Sequence, residues 1–99
     1  MLMDNLKKEQ VKKREVSLIT GGGGFFAYQH AIAMHEIKKE IILVDINKKK
    51  LLKIKKKLLK IKINVHIFRA DISNEIEVVK LKKFILNRFK RLDILINNA

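Results

Sequence analysis

Residues 41–45 read Ile-Ile-Leu-Val-Asp, four apolar residues in unbroken succession closed by an acid. A run this short and this continuous keeps no polar face for solvent. It predicts a strand covered on both sides, as in a parallel sheet wrapped by helices. Residues 16–20, 65–69 and 94–96 are further short runs rich in Val, Ile and Leu, each predicted to be a buried strand. Between the runs the apolar spacing changes from continuous to three and four. From Phe26 to about Lys38, Ala27, Ala31 and Met34 fall at i, i+4 and i+7, with Phe26, His30, Ala33 and Ile37 as an adjoining stripe. Asn47 can cap a second helix running to about Lys62, in which Leu51, Ile54, Leu58 and Ile61 recur beside Leu52 and Leu59 while lysines fill the other face. Asn74 with Glu77 three residues on resembles a capping box, with Ser73 as the alternative cap. The helix behind it carries Val78, Leu81, Ile85 and Phe89 on one side and runs to about Lys90. The order β-α-β-α-β-α-β, with right-handed crossovers, gives a doubly wound parallel α/β sheet that stops after its fourth strand. A bare fourth strand predicts association or aggregation through its edge.

Ninety-nine residues allow one domain, and 47% hydrophobic content makes it globular. Residues 1–14 read as a polar, basic lead-in, frayed or loosely helical, ahead of a folded unit at 15–99. No run approaches the roughly 18–20 apolar residues that span a bilayer. The N-terminus has no apolar core of a secretory signal, so a cytoplasmic location is expected. Cysteine is absent, which excludes disulfides and thiolate metal sites. The formal charge of +13 raises a second class of function, a small basic module for nucleic acid or an acidic membrane surface. The distribution favours lysines that merely solvate helix faces. Few aromatics are interleaved with them, and no zinc-finger spacing, RNP aromatic set or GXXG clamp is present. The histidines, His30, His35 and His66, have no metal-ligand spacing.

The glycines at 21–24 lie between the first predicted strand and the first predicted helix. Such a turn brings backbone close to an anion at a helix N-terminus, where unpaired N–H groups and the dipole favour phosphate. No Gly-Lys-Ser/Thr closes it, so it is not a Walker A loop. A tight structural turn is the alternative. Asp45 follows Gly21 by about two dozen residues, at the C-terminal end of the second strand. A carboxylate there can accept both hydroxyls of an adenosine ribose and repel a 2′-phosphate, or it can simply end a strand and help cap the next helix. Asp71 can equally be an acid favoured by a helix start, and Asn97 and Asn98 ordinary polar residues after a strand.

"LITGGGG", "ILVDIN", "FRADIS" and "RLDILINNA", in this order, resemble the N-terminal, cofactor-binding half of a short-chain dehydrogenase/reductase, over residues 15–99. That resemblance implies a Rossmann-type sheet and a dinucleotide cofactor. Gly21, Gly22, Gly23, Gly24 and Phe26 would line the pyrophosphate, and Asp45 would hold the adenosine ribose. Asp71 would meet the adenine amino group beside Ile72, and Asn97 would lie over the adenosine side. The family opening Thr-Gly-x-x-x-Gly-x-Gly is matched at Thr20 and Gly21, while Phe25 and Ala27 stand in the places of the later glycines. Weakened affinity is the specific expectation from those two. NAD is expected over NADP because of Asp45, although Lys48 to Lys50 offset its repulsion.

The family's catalytic tyrosine, lysine and serine lie beyond the Asn-Asn-Ala strand at which this sequence ends. Its one tyrosine, Tyr28, has Ile32 rather than lysine four residues later, so no catalytic residue is assigned. The sequence is therefore expected to be a truncated N-terminal fragment of an NAD(P)-dependent oxidoreductase acting on an alcohol or ketone, sugars included. Small-molecule substrate would be bound only by the full-length parent. A half-domain that pairs its fourth strand with another protein is the remaining class.

Overall fold

A computed structural model describes residues 14–98. The predicted lead-in thus lies outside the described residues except for Arg14, and so does Ala99. The elements are β1 (Val16–Thr20), α1 (Phe25–Glu36), β2 (Glu40–Asp45), α2 (Lys48–Lys60), β3 (His66–Arg69), α3 (Glu75–Arg88) and β4 (Ile94–Asn97). All strand pairs are parallel, in the order β3-β2-β1-β4. The chain steps outward from β1 to β3, then crosses back to place β4 on the other side of β1. This reversal opens a crevice beyond the C-terminal ends of β1 and β4.

Burial of β1 and β2 follows from their unbroken apolar runs. On one face Ile19, Ile41 and Leu43 pack with Ala27 and Ala31 of α1 and with Leu51, Ile54 and Leu58 of α2. On the other, Val16, Leu18, Ile42 and Val44 pack with Leu81 and Ile85 of α3. Each large aliphatic side chain taken out of water this way contributes about 1.5–3 kcal/mol. The small residues Ala27 and Ala31 let α1 lie close to the sheet, and Met34 completes their stripe from the edge of the core. The adjoining stripe predicted through Phe26, Ala33 and Ile37 faces solvent instead. Tyr28 and Ile32 flank the alanines in its place. Along α2 Leu51, Ile54 and Leu58 face inward, while Leu52 and Leu59 beside them are exposed and Ile61 falls just past the helix and is exposed too.

Asn47 caps α2 by accepting the Lys50 N–H at 3.1 Å. Asn74, not Ser73, caps α3, accepting from Ile76 and Glu77. Only half of the predicted capping box forms, because the Glu77 carboxylate bonds the N–H of Asp71 rather than that of its own cap. Val78 at the start of α3 is exposed. Strand β4 also departs from expectation. Pairing with β1 covers one edge, and Ile96 packs against the first cluster, but Leu95 points outward and is 61% exposed.

Candidate adenosine and phosphate site

The C-terminal ends of β1, β2 and β3 deliver the chemistry-bearing residues to one edge of the sheet. Gly21 leaves β1 with φ 63°, a left-handed turn that glycine takes without strain. The loop then satisfies itself from within. Gly22 is buried and donates its N–H to the Val44 carbonyl at 2.8 Å. Gly23 donates to Asp45 Oδ2 at 3.0 Å, and Gly24 to the Gly21 carbonyl at 2.9 Å. The N-terminus of α1 has no side-chain cap, unlike those of α2 and α3. The N–H groups of Phe25 and Phe26 have no partner among the described residues. They are the donors that this helix end offers an anion.

Asp45 does not cap α2, whose cap is Asn47. Its two oxygens receive the Gly23 N–H and, at 2.9 Å, the Asn47 N–H. Each carboxylate oxygen retains a further lone pair for a hydroxyl donor. Beside it a cleft of about 250 Å³ is lined by Gly21, Val44, Asp45, Ile46, Ala70, Asp71 and Ile72. Asp71 is held at its rim by Ser73, which donates through both Oγ (2.6 Å) and N–H (3.0 Å) to Asp71 Oδ1. These bonds, with Arg69 nearby, lower the pKa of Asp71 below the ordinary carboxylate value. It stays ionised and can accept from an amino group.

Of the residues predicted from sequence, Gly21, Asp45, Asp71 and Ile72 share this cleft. Gly23 and Gly24 form the loop above it, and Gly22 is turned inward. Asn97 is not brought to the cleft. It lies across β1, where its Oδ1 accepts the Thr20 hydroxyl at 3.0 Å. Phe25 and Phe26 are 78% and 63% exposed and meet edge to face with centroids 5.5 Å apart, at the N-terminus of α1. Two residues were missed. The Thr20 hydroxyl accepts the Asn98 N–H at 3.2 Å, and the Asn98 amide donates to the Gly21 carbonyl at 3.3 Å, tying β4 to the glycine turn. The sequence marked Thr20 only as the start of the family opening and Asn98 only as a polar residue after a strand, and could not show their contact, because they lie 78 positions apart.

An open carboxylate pair, a cleft lined in part by Val44, Ile46, Ala70 and Ile72, and free helix N–H groups together suit the adenosine and pyrophosphate of a dinucleotide. Among the described residues no group of three or more His, Cys, Asp or Glu is placed to hold a metal, and no helix is long and apolar enough to cross a membrane.

A sequence model of the short chain dehydrogenase family matches residues 15–99. None of the curated proteins compared with the chain matches it. Among solved structures, NAD+-bound xylitol dehydrogenase is 27% identical with a TM-score of 0.77, covering 86% of this chain and 33% of that one. Levodione reductase is 29% identical, TM-score 0.73, covering 82% and 32%. Hydroxysteroid dehydrogenase from Escherichia coli is 26% identical, TM-score 0.76, covering 86% and 36%. The chain thus spans about a third of the length of the structures it matches.

Proposed function

This chain belongs to the short-chain dehydrogenase family, and on that premise we propose that it binds the adenosine half of NAD for an oxidoreductase acting on an alcohol or ketone. The observation that carries the reading is the Asp45 carboxylate, fixed at the end of β2 by the Gly23 and Asn47 N–H groups and open to the cleft. Fixed in that way, it is pre-organised to accept two ribose hydroxyls, and its charge opposes a 2′-phosphate. The N–H groups of Phe25 and Phe26 would hold the pyrophosphate, while their rings narrow its approach and weaken affinity. Asp71 and Ile72 would meet the adenine. When bound, the nicotinamide supplies the hydride chemistry.

Tyr28 packs against the first core cluster with Lys57 Nζ 5.7 Å from its ring centroid, so it delivers no proton at this cleft. Substrate binding and proton transfer are accordingly proposed for the parent protein and not for these residues. Calorimetric titration of the chain with NAD and NADP is the test. NAD should bind more tightly, and Asp45→Ala should weaken NAD by about tenfold or more, as expected for loss of charged hydrogen bonds, while sparing NADP. Tighter binding of NADP, or NAD affinity unmoved by the substitution, would overturn the proposal.

A further inference from the structure

The cleft beside Asp45 has two rims, and they belong to different loops. Ile46 stands on the turn after β2, Asp71 on the turn after β3. Arg69 and Glu77 join them. Arg69 pairs with Asp45 in the sheet register, at the very end of β3. Its Nε donates to the Ile46 carbonyl at 3.0 Å, and its Nη1 donates to Glu77 Oε1 at 2.6 Å. The same Glu77 oxygen accepts the Asp71 N–H at 3.3 Å. An unbroken series of hydrogen bonds, one of them doubly charge-assisted, thus runs from one rim to the other.

The bland interpretation is a surface ion pair that stabilises the fold. The exposures decide against it as the main effect. The Arg69 side chain is 45% exposed and that of Glu77 25%, a setting in which such pairs contribute about 0–1 kcal/mol. What the pair does fix is geometry. It bridges two loops that are otherwise linked at this point by the Ala70 N–H to the Asp45 carbonyl, at 3.1 Å.

The geometry points to Arg69 and Glu77 as positioning residues, a clasp that sets the separation of Ile46 from Asp71 and Ile72 and so the fit of an adenine ring between them. The inference rests on the proposed adenosine binding and deepens it. Neither residue need touch the nucleotide. Their effect is pre-organisation, which lowers the ordering cost of binding.

Two substitutions test the clasp. Arg69→Met keeps the length and removes the donors. Glu77→Gln keeps an acceptor for Asp71 and removes the charge. Each should weaken binding of 5′-AMP by about fivefold or more. The double variant should lose no more than the stronger single, because the two act in one series. The urea midpoint should barely move, so that the loss of affinity is not a loss of fold. In the ligand-free chain, amide hydrogen exchange should quicken at both Asn47 and Asp71 in either variant. If each variant loosens only its own rim, or AMP affinity is unchanged in a chain that binds AMP, the clasp is refuted. If the exchange result holds but the unaltered chain binds no AMP, the clasp stands as a link between rims and the proposed adenosine function falls.

Discussion

Gly21 sits at φ 63°, where a side chain costs about 1–2 kcal/mol through its clash with the following carbonyl. The requirement at Gly22 is space. A Cβ there would stand 2.7 Å from Leu43 Cβ and 2.8 Å from the Val44 nitrogen, both held in the middle of the sheet. At Gly24 a Cβ would meet the Gly21 carbonyl at 3.2 Å, a tight approach that asks the neighbour to give by a few tenths of an ångström, and the Asn98 amide at 3.6 Å, an ordinary contact. Gly22→Ala should therefore lower unfolding stability by about 1–3 kcal/mol, the usual penalty of overpacking, and Gly24→Ala by clearly less. Urea denaturation of the two variants compares them directly, and equal losses would show that the loop yields as a unit. The sequence made the glycine run legible as a loop. It could not say which glycine serves which purpose, because Leu43 and Val44 arrive from another strand. Asp45 was legible for the opposite reason, since its position after an apolar run places it without help from distant residues. Arg69 and Glu77 carry no such mark, and only the sheet register and the start of α3 bring them together.

Each helix ends one residue before its C-cap, and each is followed by a lysine in the left-handed region: Lys38 (φ 59°), Lys62 (φ 63°) and Lys90 (φ 67°). After α2, Lys62 N–H bonds the Leu59 carbonyl at 3.0 Å and Ile63 N–H the Leu58 carbonyl at 2.9 Å, the paired bonds of a Schellman turn. The same pair closes α1, from Lys38 to His35 and from Lys39 to Met34. Glycine is the residue that normally fills this position, and no glycine lies beyond Gly24 in the chain. This explains why the predicted helix ends, at 38, 62 and 90, overran the observed ones by two residues. With neither glycine nor proline to interrupt it, the apolar spacing continued past the point where the backbone turns. Lys62→Gly should relieve the left-handed strain, less the greater chain entropy that glycine loses on folding, for a net gain of about 0.5–1 kcal/mol. In a domain of this size that corresponds to a rise of about 3–6 °C in Tm. Lys60→Gly, two residues earlier at the last residue of the helix, should instead lower it. A fall in Tm for Lys62→Gly would mean that the lysine stem packs usefully enough to outweigh its backbone.

Across the described molecule the parallel, doubly wound class was legible from the alternation of apolar runs with helical spacing, but the strand order β3-β2-β1-β4 was not, because all four runs read alike as buried strands. The reversal that sets β4 beside β1 is secured at the N-terminal ends of the two strands, where Asp93 meets Val16. Asp93 N–H donates to the Val16 carbonyl at 2.9 Å, and Val16 N–H donates to Asp93 Oδ2 at 2.8 Å. Arg91 grips the same carboxylate through Nε at 2.7 Å and Nη2 at 2.6 Å. The Arg91 bond, then the Val16 N–H, hold the pKa of Asp93 below its ordinary value of 3.8. The sign of the pH effect follows from that direction. Above 3.8 the carboxylate is ionised in folded and unfolded chains alike, and its stabilisation is complete. As pH falls from there through the lowered folded-state value, the unfolded chain takes up the proton first, and the stabilisation is lost. Asp93→Asn removes the charge at every pH. Its stability deficit relative to the unaltered protein should be full and constant above about pH 5, narrow progressively as pH falls below 4, and be smallest once both states are protonated. Urea titrations of the two proteins from pH 7 to pH 2.5 measure that gap. A gap that stays constant across the range would show that Asp93 docks β4 through its shape and its neutral hydrogen bonds, with no contribution from its charge.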